Sequence, residues 1–163
     1  MKLIASADRN WGIGRDNDLL FHASPDMKFF KQTTVGNTVV MGSSTFFSFP
    51  KQQPLPERTN IVISRRDLRI DGATVVHSVE EALEAVKDLD PDTVFVIGGQ
   101  SIYEQMLPYC DTAYITRFDA QKEADKFLHD FDSDTAWILT ERSDPVEWNG
   151  LRFTFDTYKR ITA

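Results

Sequence analysis

The stretch Asp92 to Leu107, DTVFVIGGQSIYEQML, constrains this chain more than any other. Thr93, Val94, Phe95, Val96 and Ile97 form an uncharged run of β-branched and aromatic residues, which predicts a strand buried on both faces in the middle of a sheet. Gly98 and Gly99 follow at once, and a helix is predicted beyond them. Ser101 and Glu104 have the S-x-x-E spacing of a capping box, and Pro108 ends the helix. A strand that turns on bare backbone into a helix presents free N–H groups and the positive end of a helix dipole, which suits an anion, most often phosphate. A tight turn that needs two glycines for its dihedrals accounts for the same residues. This stretch alone admits both readings.

The rest of the chain alternates strands and helices without a linker or repeat. Leu3 to Ala7 is predicted as a short strand. Asp8 to Phe21, DRNWGIGRDNDLLF, is too long for a simple connection and is expected to be a functional or mobile loop. Ser24, Pro25 and Asp26 read as N-cap, N1 and N2 of a helix containing Met27, Phe30 and Lys31. Thr38 to Met41 is a second buried strand that enters a helix through Gly42, Ser43, Ser44 and Thr45. A proline-rich loop, Pro50 to Arg58, leads to a third strand at Asn60 to Ser64, with Arg65 and Arg66 just past its end. Ala73 to His77 is a fourth strand. Ser78 and Glu81 form a capping box ahead of a helix with Val79, Ala82, Leu83 and Val86 at helical spacing. Thr112 to Arg117 is a further strand. From Trp137 onward the pattern turns antiparallel, with Phe153 and Phe155 alternating with polar residues as on a half-buried edge.

This order predicts an α/β fold: a single domain over 1–163 with a mostly parallel central sheet, flanking helices and an antiparallel C-terminal hairpin. At 163 residues one hydrophobic core can close. The net charge of −7 argues against non-specific nucleic-acid binding or an acidic membrane surface, while leaving room for a local basic pocket. Cys110 is the single cysteine, so neither an internal disulfide nor a Cys-rich metal cluster can form. The N-terminal apolar run is too short for a signal peptide and no stretch is long enough to span a bilayer. The expectation is a cytoplasmic enzyme or binding protein.

Ligands of such sheets bind at the carboxyl ends of the strands. There is no G-x-G-x-x-G fingerprint and no phosphate-loop G-K-[ST], so a standard dinucleotide-binding or nucleotide-triphosphatase fold is poorly supported. His22, His77 and His129 are scattered without metal-ligand spacing, so no metal is expected. A Ser-His-Asp triad has no G-x-S-x-G elbow behind it. Asp26 is the better candidate, because burial among Phe21, Met27, Phe29 and Phe30 would raise its pKa and fit it to relay a proton. Its alternative role is to favour the helix dipole from the first turn.

Several segments, in order and spacing, resemble dihydrofolate reductase over nearly the whole length. They are ADRNWGIG (7–14), NDLLFHASPDMKFFK (17–31), VMGSSTF (40–46), PLPERTNIVIS (54–64) and VIGGQSIYEQML (96–107), with a weaker match at EADKFL around Asp125. The resemblance implies reduction of 7,8-dihydrofolate to 5,6,7,8-tetrahydrofolate by hydride transfer from NADPH to pterin C6, with N5 protonated from water in a site organised by Asp26. It implies that Leu20, Phe21 and Thr116 act with Asp26 at the reacting centre. The substrate would lie among Ile4, Ala5, Met27, Phe30, Phe49, Leu55 and Ile97, with Thr116 bonded to the carboxylate and the pterin amino group. Arg58 would take the α-carboxylate of the glutamate tail, for which a planar guanidinium is suited. The cofactor would lie along Ala5, Ser6, Ile13, Gly14, Gly42, Ser43, Ser44, Thr45, Ser64, Arg65 and Ile97, then Gly98, Gly99, Gln100, Ser101, Ile102 and Tyr103. A cis peptide is implied at Gly98-Gly99.

Three positions depart from the family pattern. Leu19-Leu20-Phe21 stands where Leu-Pro-Trp is usual, Ser43-Ser44 where a basic pair is common, and Ala124-Asp125-Lys126 where Gly-Asp-Thr is usual. With Ser43-Ser44 the phosphate charge falls to Arg65, with Arg66 beside it, and NADPH is expected with weaker discrimination against NADH. Dihydrofolate is the expected small-molecule partner of a monomer that binds neither nucleic acid nor membrane. The alternatives are a related reductase of a pterin-like or ribityl-pyrimidine substrate, and a non-catalytic folate- or dinucleotide-binding protein. Asp26, Phe30 and Arg58 together favour folate, since a ribityl-pyrimidine phosphate needs neither the aromatic wedge nor the carboxylate clamp.

Overall fold

The computed structural model describes residues 1–161. The chain opens with β1 (Lys2–Ala7), a short pair β2 (Gly12–Arg15) and β3 (Asp18–Leu19), helix α1 (Ser24–Thr34), β4 (Thr38–Gly42) and α2 (Ser43–Ser48). It continues through β5 (Thr59–Ile63), β6 (Ala73–Val76), α3 (Val79–Val86), β7 (Val94–Gly98), α4 (Gln100–Met106) and β8 (Thr112–Phe118). It closes with β9 (Lys126–Phe127), β10 (Trp137–Arg142), β11 (Val146–Trp148) and β12 (Leu151–Arg160).

The main sheet runs β10-β12-β8-β1-β7-β4-β5-β6, with β11 paired to β12. From β8 to β6 every neighbouring pair is parallel, and β12 runs antiparallel to β8 and β10. The VFVIG run is β7, wedged between β1 and β4, which explains its apolarity on both faces. Alternation along the strands sorts side chains into two layers. Leu3, Val40 and Val96 pack with Ile102 and Met106 on one side. Ile4, Val39, Met41 and Phe95 pack with Phe46 and Val62 on the other. Each such side chain removed from water contributes roughly 1.5–3 kcal/mol. A third cluster, Leu20, Phe21, Ala23, Phe118 and Phe153, anchors the segment after β3 to the antiparallel strands.

Four local expectations are corrected. The loop predicted at Asp8 to Phe21 holds the β2–β3 hairpin: Gly14 pairs with Leu19 and Arg15 with Asp18. Asp16 and Asn17 between them both have positive φ, 51° and 60°, the geometry of a two-residue hairpin turn, which Asn and Asp tolerate. Helix α1 starts one residue earlier than predicted. Ala23 is its N-cap without a side-chain bond, and Ser24 is already helical. The capping box predicted at Ser101 and Glu104 does not form, because Gly99 is the N-cap of α4 and the Ser101 hydroxyl accepts from Gln105 Nε2 at 2.8 Å instead. Finally, β12 is an interior strand, and Asp156 in it is 1% exposed. Its carboxylate is held by Arg142 at 2.9 and 3.1 Å and by the Thr154 hydroxyl at 2.7 Å, the pairing a buried charge requires. At Ser78 the first half of the predicted box forms, with the Glu81 N–H donating to Ser78 Oγ at 3.0 Å, while Glu81 Oε2 accepts at 2.7 Å from the N–H of His77, one residue before the N-cap.

Candidate active site

The parallel strands β8, β1, β7, β4 and β5 end side by side, so Thr116, Ser6, Gly98, Gly42 and Ser64 lie along one margin of the sheet. Ser6 is directly paired with Thr116. Asp26, in the first turn of α1, reaches this margin from above: the Thr116 hydroxyl donates to Asp26 Oδ1 at 2.7 Å. The carboxyl group is half-buried, and burial pushes its pKa up from 3.8 to about 6, opposed only by the Thr116 hydrogen bond, which stabilises the charged form. A carboxyl group poised there can hold or release a proton near neutrality.

Most of the residues expected to form the apolar walls share one cluster. Phe30, Phe49, Leu55 and Ile97 are half-buried and pack on one cluster with Ile4, and Phe30 lies one helical turn from Asp26 on α1. Met27 is 54% exposed on the surface of α1. Ala5 points to the opposite layer, where it packs with Leu3 and Ala7. Arg58 is half-buried at the far end of α1. Its Nη1 donates to Thr34 Oγ1 at 3.2 Å and its Nε to the Pro56 carbonyl at 2.9 Å, and desolvation lowers its pKa. A groove of about 710 Å³ adjoins it, floored by Phe46, Leu55 and Ile70 and flanked by Arg69. That groove does not reach Asp26 or Thr116.

Toward β4 and β5 the site is made of backbone and small residues. Gly98 and Gly99 are joined by a cis peptide bond. A Cβ on either would stand 3.4 Å from the Thr45 hydroxyl, and a Cβ on Gly42 would stand 3.0 Å from Ile102. These glycines let the starts of α2 and α4 approach each other, so the first amides of both helices, which like those of any helix lack intrahelical partners, come close together. Ser43 is half-buried and Ser44 exposed, while the Ser64 side chain is buried and Arg65 exposed beside it. The cradle fits an elongated phosphate-bearing group: backbone donors in the middle and guanidinium charge at the β5 end. Tyr103 is buried, with its hydroxyl donating to the Ile4 carbonyl at 2.8 Å. Gln100 turns away, its Oε1 accepting from the Phe127 N–H at 2.7 Å. Ile13 is half-buried against the core, and the Gly14 carbonyl accepts from the Asp125 N–H at 3.0 Å.

Leu20 and Phe21 are both buried, and the Phe21 ring stacks on Phe118 at 4.3 Å. Leu19, one residue earlier, is 48% exposed. The β2–β3 hairpin is tied to the segment before β9. Asp125 Oδ2 accepts from the Asp16 N–H at 3.0 Å, so the Ala-Asp-Lys variant of that segment still makes a close contact.

Sequence reasoning missed Asp8 and Lys122. Asp8, 1% exposed, accepts from the N–H groups of Asn10 and Gly12, each at 2.8 Å, and of Lys122 at 3.1 Å. The Asp8-Arg9-Asn10 spacing is the local signal for such a turn. Lys122 carries no local signal, since its partners are remote in sequence.

A parallel sheet with a half-buried carboxylate at one strand end and a phosphate cradle at the next ones defines a nucleotide-dependent enzyme of small-molecule metabolism. Comparison narrows this. The family model described as dihydrofolate reductase matches residues 1–160. The chain is 39% identical over 165 residues to dihydrofolate reductase HdrB of Haloferax volcanii, covering 97% of this chain and 82% of that protein. It is 35% identical over 162 residues to dihydrofolate reductase of Bacillus subtilis, covering 98% and 94%. A solved structure of dihydrofolate reductase from Enterococcus faecalis, complexed with NADP(H) and RAB-propyl, superposes with a TM-score of 0.86 at 32% identity, covering 98% of this chain and 95% of that one. The chain belongs to the dihydrofolate reductase family.

Proposed function

We propose that the chain reduces 7,8-dihydrofolate to 5,6,7,8-tetrahydrofolate with NADPH. The observation that carries this reading is the Asp26–Thr116 pair, a carboxyl group with its pKa near 6 at the carboxyl ends of β1 and β8. When bound, NADPH supplies the hydride that adds to pterin C6. Asp26 binds the pterin edge and organises the water that protonates N5, while Thr116 fixes the carboxylate and meets the pterin amino group. Phe30, Phe49, Leu55 and Ile97 hold the ring system flat and keep bulk water away, with Met27 at the rim. Orientation and exclusion of water supply most of the acceleration that positioned proton transfer does not. Arg58 clamps the α-carboxylate of the substrate's glutamate. The backbone from Gly98 to Ile102, with Ser43, Ser44 and Thr45, holds the cofactor's phosphates, and Arg65 supplies the cation for its 2′-phosphate.

Among the described residues no helix is long and apolar enough to cross a membrane. We read the chain as a cytoplasmic monomer that binds neither membrane nor nucleic acid, and its net charge of −7 disfavours contact with both of those anionic partners.

The test is NADPH oxidation in the presence of dihydrofolate, with NADH in parallel and Asp26→Asn as control. Turnover that falls roughly 10²–10⁴-fold in the variant is expected. Folded protein that oxidises neither cofactor would overturn the reading.

A further inference from the structure

The segment Asp16 to Phe21 has no proline or disulfide to stiffen it, yet Leu20 and Phe21 at its end are both buried. Packing accounts for their side chains: Leu20 and Phe21 join Phe118 and Phe153. It does not account for the backbone, which is irregular from Leu20 to Ala23. One side chain addresses both. Lys122 Nζ donates to the Leu20 carbonyl at 2.9 Å and stands 4.8 Å from the centre of the Phe21 ring. Its own backbone N–H donates to buried Asp8 at 3.1 Å, so the lysine projects from a fixed point. A charge-assisted hydrogen bond and a cation over an aromatic face are both stronger where water is partly excluded.

We propose that Lys122 is a positioning residue: it locks the Leu20–Phe21 backbone against β8, and this lock sets the geometry of the end of β8 from which Thr116 holds Asp26. Phe21 stacks on Phe118, two residues beyond Thr116, so the lock and the Asp26–Thr116 pair share the end of β8. The opposite side of the same hairpin is held at Asp125, through Gly14 and Asp16. With Lys122 removed, the hairpin keeps that second tie and the Leu20–Phe21 backbone is released alone. The consequence falls on the reacting geometry rather than on global stability. This role in turnover rests on the reductase reading above, while the lock itself does not.

The experiment compares Lys122→Met, which keeps the chain length and loses the charge, with Lys122→Arg, which keeps a cation able to meet both the carbonyl and the ring. Three quantities are read: backbone ¹⁵N order parameters at residues 19–22, the single-turnover rate of NADPH oxidation with dihydrofolate, and the melting temperature. Lys122→Met is expected to lower the order parameters of Leu20 to His22 from about 0.85 toward about 0.6 and to slow the single-turnover step by about five- to tenfold, with Lys122→Arg restoring most of both. The melting temperature should move little, as for an exposed lysine. Unchanged order parameters in Lys122→Met would overturn the lock, whatever the activity. Lower order parameters with an unaltered single-turnover rate would overturn its role at the site. A loss that follows the melting temperature and is not rescued by arginine would reduce Lys122 to a stability residue, which also overturns the proposal. If the unmodified protein fails to oxidise NADPH, the reductase reading falls, and the order parameters still decide the lock.

Discussion

The Thr116 hydroxyl and Asp26 Oδ1 lie 2.7 Å apart across 90 residues of sequence, and this bond is what restrains the upward pull of burial on the Asp26 pKa. Replacing Thr116 by Val removes the donor and leaves the burial. The Asp26 pKa then rises above about 6, and the pH at which hydride transfer falls off moves to the alkaline side. A single-turnover pH profile checks this; a midpoint that stays in place would mean that the hydroxyl does not stabilise the charged carboxylate. Loss of the bond also lowers stability by about 1 kcal/mol.

The same pKa predicts an unusual stability profile. Folded Asp26, with a pKa of about 6, holds its proton to higher pH than the unfolded chain, where 3.8 applies. Between those values the folded state binds more protons, so this residue makes stability fall as pH rises through the window. Asp26→Asn escapes that loss. It should be more stable than the parent by about 1–2 kcal/mol near neutral pH, a figure reduced for partial exposure, and indistinguishable from it below about pH 4. Urea unfolding at the two pH values measures the difference, and equal stabilities at neutral pH would contradict it.

Arg58 is already oriented by Thr34 and the Pro56 carbonyl, which leaves Nη2 and the rest of the fork for a carboxylate. Lysine has one ammonium and no planar fork, so Arg58→Lys is expected to raise KM for dihydrofolate roughly tenfold with kcat changed much less. Steady-state kinetics with a substrate lacking the glutamate provide the control: that substrate should not distinguish the two proteins.

Gly12 lies where three elements converge. A Cβ there would stand 2.8 Å from Ala124 Cβ, 3.1 Å from Asp8 Oδ1 and 3.1 Å from Leu20 Cδ1. Ala124 has no rotamer to give way, so Gly12→Ala must push the segment before β9 away from the β2–β3 hairpin. A destabilisation of about 1–3 kcal/mol is expected by denaturant unfolding, with slower turnover that Ala124→Gly partly restores.

Much of this architecture was legible locally. Thr93 to Ile97, Thr38 to Met41 and Asn60 to Ser64 read as buried parallel strands because each is dominated by an apolar run, and they became β7, β4 and β5 with ends displaced by a residue. Phe30 and Arg58 became site candidates only through family resemblance, since each by itself would pass for a core phenylalanine or a surface arginine, whereas Asp26 was a candidate already from its aromatic neighbours. The β2–β3 hairpin was missed because Gly12, Gly14, Asp16 and Asn17 read as loop residues. Its strands exist only by pairing with each other and with β9. The capping box at Ser101 failed because Gly99 already serves as the N-cap.

The sequence by itself determined the strand-and-helix order, the two glycine-bearing strand ends and the presence of one carboxylate in an aromatic neighbourhood, because these depend on residues adjacent in the chain. Tertiary structure alone decided what that carboxylate would be. Its pKa follows from burial and from a hydroxyl 90 residues away. The interior place of β12, the buried Asp156 pair and the Lys122 contact with Leu20 are likewise products of long-range closure. Hydrogen bonds and desolvation depend on distance in space, and no local pattern encodes that distance.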